Sequence, residues 1–336
     1  MKHPHSTPRQ VCTAAAAPLS WAQRGMTLVE LMVAIALGLF LSLVLYAAYM
    51  NSSRLFSLQD HLAEMQDSGR AAIEVLQRES RLIGYLGCVN ESSLATPPFT
   101  SLMGYESASS VLPAISSTEF SGVTGHALVI RHGAYKSLPL TAAMTGNTSM
   151  TAGADEFGWQ GTTPTMLISD CVGAEQFTAG SITAAGNTTT LGSSSPLGRL
   201  YTATARVRPL ETSIFFLATP TGKSQPSLYQ RLSNGYVNVD LRVADNVAEW
   251  KLSYATGTED SKLSASGRKA SDLATAEWKN VKSIRVDLLL ISRKPALDEP
   301  AGYWFDFANV TSKTDRYLRK EMATTIAVRN RITGIQ

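Results

Sequence analysis

The stretch MTLVELMVAIALGLFLSLVLYAAYM, from Met26 to Met50, governs how the rest of the chain is read. It carries one charge, Glu30, and no proline. At about 1.5 Å per residue, a helix of this length spans the roughly 30 Å hydrocarbon core of a bilayer. A secretory signal would have a shorter apolar region, about 7–15 residues, closed by a small-x-small cleavage site. Ala47, Ala48 and Tyr49 make a poor site of that kind. A plain anchor is the simpler reading: Lys2, Arg9 and Arg24 precede the run without any Asp or Glu, which keeps the N-terminus cytoplasmic and exports everything after Met50. Neither reading accounts for Glu30. A carboxylate inside an apolar segment costs roughly 2.5–3.5 kcal/mol on insertion scales unless it lies near the interface or finds a partner. Glu30 follows Met26 by one helical turn. A cut between Gly25 and Met26 would create an α-amino group within reach of that carboxylate, on its own helix or on a neighbour's.

The same cut changes the charge arithmetic. The chain has 336 residues, 44% hydrophobic, 17% charged and 8% aromatic, with a net charge of +3 and three cysteines. This composition excludes a mostly disordered chain and provides core for one large or two modest domains. Residues 1–25 hold three of the cations, no acid and Cys12. Without them 336 − 25 leaves 311 residues, the net charge falls from +3 to 0, and Cys88 and Cys171 remain. An even pair suits an oxidising compartment. A disulfide between them would close a loop of about 84 residues and contribute about 4–5 kcal/mol on the chain-entropy model. Two buried free thiols are the rival reading.

After Met50 the pattern becomes amphipathic. Leu55, Leu58, Leu62, Met65, Gly69, Ala72 and Leu76 recur at helical spacing, with Arg54, Asp60, Glu64, Asp67, Arg70, Glu74 and Arg78 between them. No proline intervenes before Pro97, so one helix is expected from about Met26 to about Ile83, with Ser68-Gly69 as its expected bend. The stripe should bury against a globular part and leave the first half uncovered, with Gly38 as a close-packing site among apolar helices.

From about Cys88 the sequence is strand-like. Expected strands are Ala127–Arg131, Thr165–Ser169, Thr202–Arg208, Ser213–Leu217, Leu228–Leu232, Tyr236–Val243, Val247–Tyr254 and Ser283–Ser292. In Val247–Tyr254, Trp250, Leu252 and Tyr254 alternate with Val247, Glu249, Lys251 and Ser253, as in a half-buried strand. Ser181–Leu191 reads as a hairpin about Gly186-Asn187, while Thr141–Ala154 and Gly192–Gly198 read as loops.

No catalytic, metal or cofactor site is indicated. His61, His126 and His132 lack a Cys or carboxylate at ligand spacing. Gly222-Lys223-Ser224 resembles the end of a phosphate loop, but Leu217 stands where its first glycine belongs, and a turn explains the run better. Arg206 and Arg208 could form a small patch on one strand face. Arg293, Lys294, Arg329 and Arg331 are scattered among equal numbers of acids, so direct nucleic-acid binding is not expected.

Gln23-Arg-Gly-Met-Thr-Leu-Val-Glu-Leu-Met32 resembles the class III signal of type IV pilins and pseudopilins. The resemblance implies that a prepilin peptidase cuts after Gly25 and methylates Met26, and that Glu30 neutralises the N-terminal amine of an adjacent subunit. Arg81–Cys88, Ser169–Gly173 and Thr324–Arg331 are similar to the PilW family of minor pilins, in which Met in place of Phe at the first mature position is not unusual. That family implies a non-enzymatic subunit of a minor-pilin complex that primes the type IV pilus and sits at its tip, supporting adhesion, twitching motility or DNA uptake. The implied partners are other minor pilins, the major pilin, the prepilin peptidase, the inner-membrane assembly platform and, in some systems, a tip adhesin. The J-type pseudopilin of type II secretion, or an anchored exported adhesin or enzyme, is the alternative. The expected fold is α+β and pilin-like, a long N-terminal helix on an antiparallel β-rich head. Its divisions are a leader at 1–25, an assembly half at 26–50, an amphipathic half at 51–84 and a periplasmic head at 85–336, anchored first in the bacterial inner membrane and then held in the pilus at the cell surface.

Overall fold

A computed structural model of the chain describes residues 26–89, 91, 94, 98–111, 119–234, 237–257, 267–305 and 308–331. The expected leader, with Gly25 and Cys12, lies outside the described residues. The chain divides into two units, one ending at Phe56 and one starting at Ser57.

Helix α1 runs unbroken from Leu28 to Ser80. In the first unit every residue from Met26 to Tyr49 is exposed. In the second unit one face is covered: Met65, Gly69, Ala72 and Leu76 are buried, as the spacing predicts. Leu55 is 59% exposed, so the buried stripe starts later than expected, at His61 and Leu62. The spacing continues N-terminally past the residues that have anything to pack against. The helix continues without interruption through Ser68-Gly69. Gly69 instead supplies space: a Cβ there would overlap the Met322 side chain and meet Leu290 Cδ1 at 2.7 Å.

The rest of the second unit is β-rich, and every strand pair among the described residues is antiparallel. The ten-stranded sheet comprises β1 (Leu102–Tyr105), β2 (Phe120–Gly133), β3 (Leu138–Pro139), β4 (Ser149–Gly153), β5 (Thr165–Ser169), β6 (Ala174–Ala185), β7 (Thr188–Ser193), β8 (Arg206–Pro220), β9 (Ser227–Ser233) and β10 (Asn238–Ala244). A second sheet orders β11 (Val247–Thr256), β12 (Val281–Ile291) and β15 (Arg319–Ala327), while β13 (Ala301–Phe305) and β14 (Ala308–Asp315) form a separate hairpin.

Strand β8 is the spine. Ser213–Leu217 lies wholly within this single strand of 15 residues, whereas of the expected strand Thr202–Arg208 only Arg206–Arg208 belongs to it, Thr202–Ala205 lying before it. Pro209 does not break it, because it lies where β8 changes partner on one side, from β9 at Thr212–Ala218 to β5 at Arg206–Pro209. The loop expected at Thr141–Ala154 contains β4, with Met150 and Ala152 buried between exposed or half-buried small residues. The loop expected at Gly192–Gly198 begins inside β7. The hairpin about Gly186-Asn187 forms as expected, with Gly186 at φ +60°, which suits a residue without Cβ. In β11, Trp250, Leu252 and Tyr254 are buried as the alternation requires. Val247 is buried as well, because the register against β12 shifts between Val247 and Glu249.

Two cores result. The larger joins Met65, Ala72 and Leu76 of α1 to Leu128, Phe215, Trp250 and Leu288. The other lies among β3–β8 and includes Met150, Met166, Phe177, Leu191 and Val207. A buried ion pair closes the C-terminal end. Arg331, 1% exposed, donates Nη2 to Glu91 Oε2 at 2.7 Å and to Ser101 Oγ at 2.7 Å, and Nη1 to the Trp278 carbonyl at 2.5 Å. Arg331 is therefore unavailable as a DNA contact, whereas Arg329 is exposed. Removing one member of such a pair strands a buried charge, so Arg331→Ala should cost about 3–5 kcal/mol in denaturant unfolding and Arg329→Ala under about 0.5 kcal/mol.

Candidate functional site

The expected assembly residues sit at the start of α1. Thr27 caps the helix: the Glu30 backbone N–H donates to Thr27 Oγ1 at 3.2 Å, and the Leu31 N–H to the Thr27 carbonyl at 3.1 Å. Glu30 thereby occupies the third helical position, where a carboxylate is favoured by the helix dipole. The Thr-x-x-Glu spacing of a capping box is the sequence signal for this cap. Among the described residues no side chain pairs with the Glu30 carboxylate. Met26 is 65% exposed and Leu28 73%. Further along, Ser42 Oγ satisfies itself on the Gly38 carbonyl at 2.8 Å, leaving the helix surface apolar, and Gly38 has open space where a Cβ would stand. This one helix is long and apolar enough to cross a membrane. An apolar helix so exposed is stable only in lipid or against other apolar helices.

Near the other end of α1 lies a buried polar network, whose burial the sequence did not signal. Glu79 Oε2 accepts from Ser213 Oγ at 2.9 Å, and Gln230 Nε2 donates to that same hydroxyl at 3.2 Å. His132 lies 3.9 Å from Glu79 through Nε2 and 3.9 Å from Glu211 through Nδ1. At 3.9 Å these are charge contacts rather than hydrogen bonds. Burial alone would push the Glu79 carboxyl up, but His132 and the Ser213 hydroxyl outweigh it and hold it below 4.5. Burial would likewise pull His132 down, but Glu79, the Gly133 carbonyl and Glu211 outweigh it and raise it above 6.5.

Cys88 and Cys171 are joined in the structure, their Cα atoms 4.8 Å apart and 83 residues apart in sequence. This ties the segment after α1 to the turn after β5. Beside it, Arg208 is 3% exposed and donates to Tyr85 Oη at 3.0 Å and to the Ala134 carbonyl at 3.3 Å, while Arg206 is exposed and bonds Ser137. The two arginines expected to share a face therefore form no patch. His126 faces Glu106 and His132 faces Glu79 and Glu211, so the two histidines are not brought together. The Gly222-Lys223-Ser224 run lies in the turn from β8 to β9. Glu64 accepts from Asn246 Nδ2 at 3.4 Å.

Two family models match the chain. Residues 22–46 match the prokaryotic N-terminal methylation motif, and residues 214–330 match type IV pilus-assembly protein W. No curated protein and no solved structure matches. A methylation motif on an exposed apolar helix, continued into an antiparallel β-rich head, is consistent with the type IV pilin class. Within that class, the match from within β8 to residue 330 makes the chain similar to type IV pilus-assembly protein W and is consistent with a PilW-family minor pilin. Of the three internal stretches similar to that family, Thr324–Arg331 falls within the match up to residue 330, and the other two fall outside it.

The pH response of the head follows from the network. A raised His132 pKa contributes stability that is complete below its ordinary 6.5 and lost as pH rises through the folded value. A lowered Glu79 pKa contributes stability that is complete above 4.5 and lost as pH falls through the folded value. Thermal unfolding of the detergent-solubilised chain should therefore peak between those two ordinary values and weaken as pH rises through the folded His132 value, and His132→Gln should flatten the alkaline limb. Intact-mass analysis without reductant should find no free thiol at Cys88 or Cys171, and Cys171→Ser should cost about 2–5 kcal/mol.

Proposed function

We propose that the chain is made as a prepilin, cut between Gly25 and Met26, methylated at Met26, and used as a subunit that primes type IV pilus assembly and resides in a tip complex. The observation that carries this reading is the exposure of α1 from Met26 to Tyr49 with Glu30 as its only charge. Lipid and the helices of other subunits are equivalent solvents for those side chains, so transfer from bilayer to pilus costs little once packing is supplied. Glu30 supplies direction. Its carboxylate pairs with the methylated amine of a neighbouring Met26, which fixes the stagger of one subunit against the next and relieves the cost of a lone charge in apolar surroundings.

The head then lies in the periplasm while the helix is in the inner membrane, and at the cell surface once the pilus extends. The partners are other minor pilins and the major pilin, the prepilin peptidase and the inner-membrane assembly platform. A tip adhesin would be carried on the head, and the pilus would serve adhesion, twitching motility or DNA uptake. The role is structural rather than catalytic.

N-terminal sequencing of membrane-extracted protein should begin at methylated Met26. An intact Met1 would favour the plain anchor, and a start near Ala48 a secretory signal. Gly25→Glu should block processing. Glu30→Ala should leave processing and head stability unchanged while removing pili by electron microscopy, and a normally piliated Glu30→Ala strain would defeat the charge-pair assignment.

A further inference from the structure

The ten-stranded sheet forks along β8. On one side this strand pairs with β5 from Arg206 to Pro209 and with β9 from Thr212 to Ala218. Between the two ladders, Leu210 and Glu211 have no strand partner on that side among the described residues. A cavity of about 380 Å³ opens at the fork. Register sets its floor: Arg131 of β2 stands opposite Thr212 of β8, and Thr212 opposite Ser233 of β9, so the three lie abreast. With strands about 4.8 Å apart, that row is about 10 Å long. Thr165 of β5 and Gln176 of β6 bound the cavity across the fork, and Phe99 and Leu210 give it apolar walls.

Arg131 is the residue out of place. Ile130 before it belongs to the larger core, so alternation sends Arg131 to the opposite face, where it is half-buried. Its backbone N–H donates to the Ser101 carbonyl at 2.8 Å, but its guanidinium has no hydrogen-bond or ion-pair partner among the described residues. Every other half-buried arginine described is matched: Arg199 to Asp170, Arg231 to Asp240, Arg268 to Glu277, Arg285 to Asp287 and Arg319 to Asp315. Arg231 lies two residues from Ser233 on the same strand face, so the nearby Asp240 is already committed. Arg208, four residues before Thr212 on the same face of β8, is 3% exposed and donates to neutral oxygens, those of Tyr85 and Ala134. No acid stands among the described residues that line the cavity. Guanidinium donors held partly out of water with nothing to receive them are costly, and an anion brought in from outside removes that cost.

We propose that this cavity binds one acidic sugar unit, a polyhydroxylated ring that bears a carboxylate. Arg131 takes the carboxylate through its planar fork of donors. Thr165, Thr212, Ser233 and Gln176 can each donate and accept, which suits sugar hydroxyls, themselves donors and acceptors. Phe99 and Leu210 receive the C–H face of the ring. An acidic peptide is the poorer occupant, because a side-chain carboxylate would engage Arg131 and leave the four neutral groups unmatched. A small inorganic anion would leave the apolar walls uncovered as well. All the residues named lie in the second unit, so the site goes beyond the pilus reading and does not depend on leader processing.

The test is isothermal titration calorimetry of the detergent-solubilised full chain with glucuronate, galacturonate and N-acetylneuraminate. At least one should bind, and about tenfold or more tightly than its own uncharged methyl ester and than acetate. Arg131→Gln should weaken that binding about tenfold or more without lowering the melting temperature, because it removes a half-buried charge that has no partner to strand. The sugar should raise the melting temperature of the unaltered chain and not that of Arg131→Gln. Thr212→Val leaves the cation in place and should weaken binding severalfold, which keeps the proposal open to test if Arg131→Gln does not fold. Acetate held as tightly as the sugar, a preference for triglutamate, binding indifferent to both substitutions, or no binding of any of the three sugars would overturn it.

Discussion

The structure depends on one helix meeting two different surroundings along its length. A continuous α-helix satisfies its backbone hydrogen bonds internally, which is the condition for passing through a medium without water. That condition holds from Leu28 to Ser80, yet the side-chain pattern changes near residue 56 from apolar on every face to apolar on one stripe. The stripe is narrow, and its fit is set by small residues. Gly69 and Ala72 bring the helix close to Leu290 and Met322, so the ends of β12 and β15 side chains occupy the volume a larger residue would need. Close packing of this kind gives a defined seat rather than mere adhesion.

Polar contacts then fix what apolar packing leaves loose. Glu79 is buried at 8% exposure among Ser213, Gln230 and His132, so the helix carries a carboxylate into its own interface with the sheet. The disulfide joins the segment after the helix to the turn after β5. Arg331 brings the end of β15 to Glu91 and Ser101. Each tie joins residues far apart in sequence, and each is costly to half-remove because the partner left behind is buried. Strand β8 gives these ties a common frame, contributing Val207 to one core and Phe215 to the other.

The helix and the strand-rich head were legible because each has a local signature: uniform apolarity, 3.6-residue spacing and alternation. The ends of elements were less legible. Whether Leu55 is covered, or whether β8 passes through Pro209, depends on what lies opposite, which spacing does not encode. Strand β4 was hidden because Ser149, Thr151 and Gly153 resemble loop residues, and only pairing with β7 gives Met150 and Ala152 their inward role. Arg208 and Arg331 read as surface cations because side-chain type says nothing of a partner 123 or 240 residues away. Thr27 is the exception, since its Thr-x-x-Glu spacing was in plain view.

The charge balance explains why recognition in such a chain rests on geometry rather than on long-range fields. Without its first 25 residues the chain carries no net charge, and several of its remaining arginines are committed internally: Arg199 to Asp170, Arg231 to Asp240, Arg268 to Glu277, Arg319 to Asp315 and Arg331 to Glu91. A neutral surface with paired cations steers partners weakly. What is left to be recognised is directional: one carboxylate on an apolar helix. Under the proposed charge pair it demands a partner group at a particular height, which would select one neighbour in an ordered assembly over the many apolar helices that share a membrane.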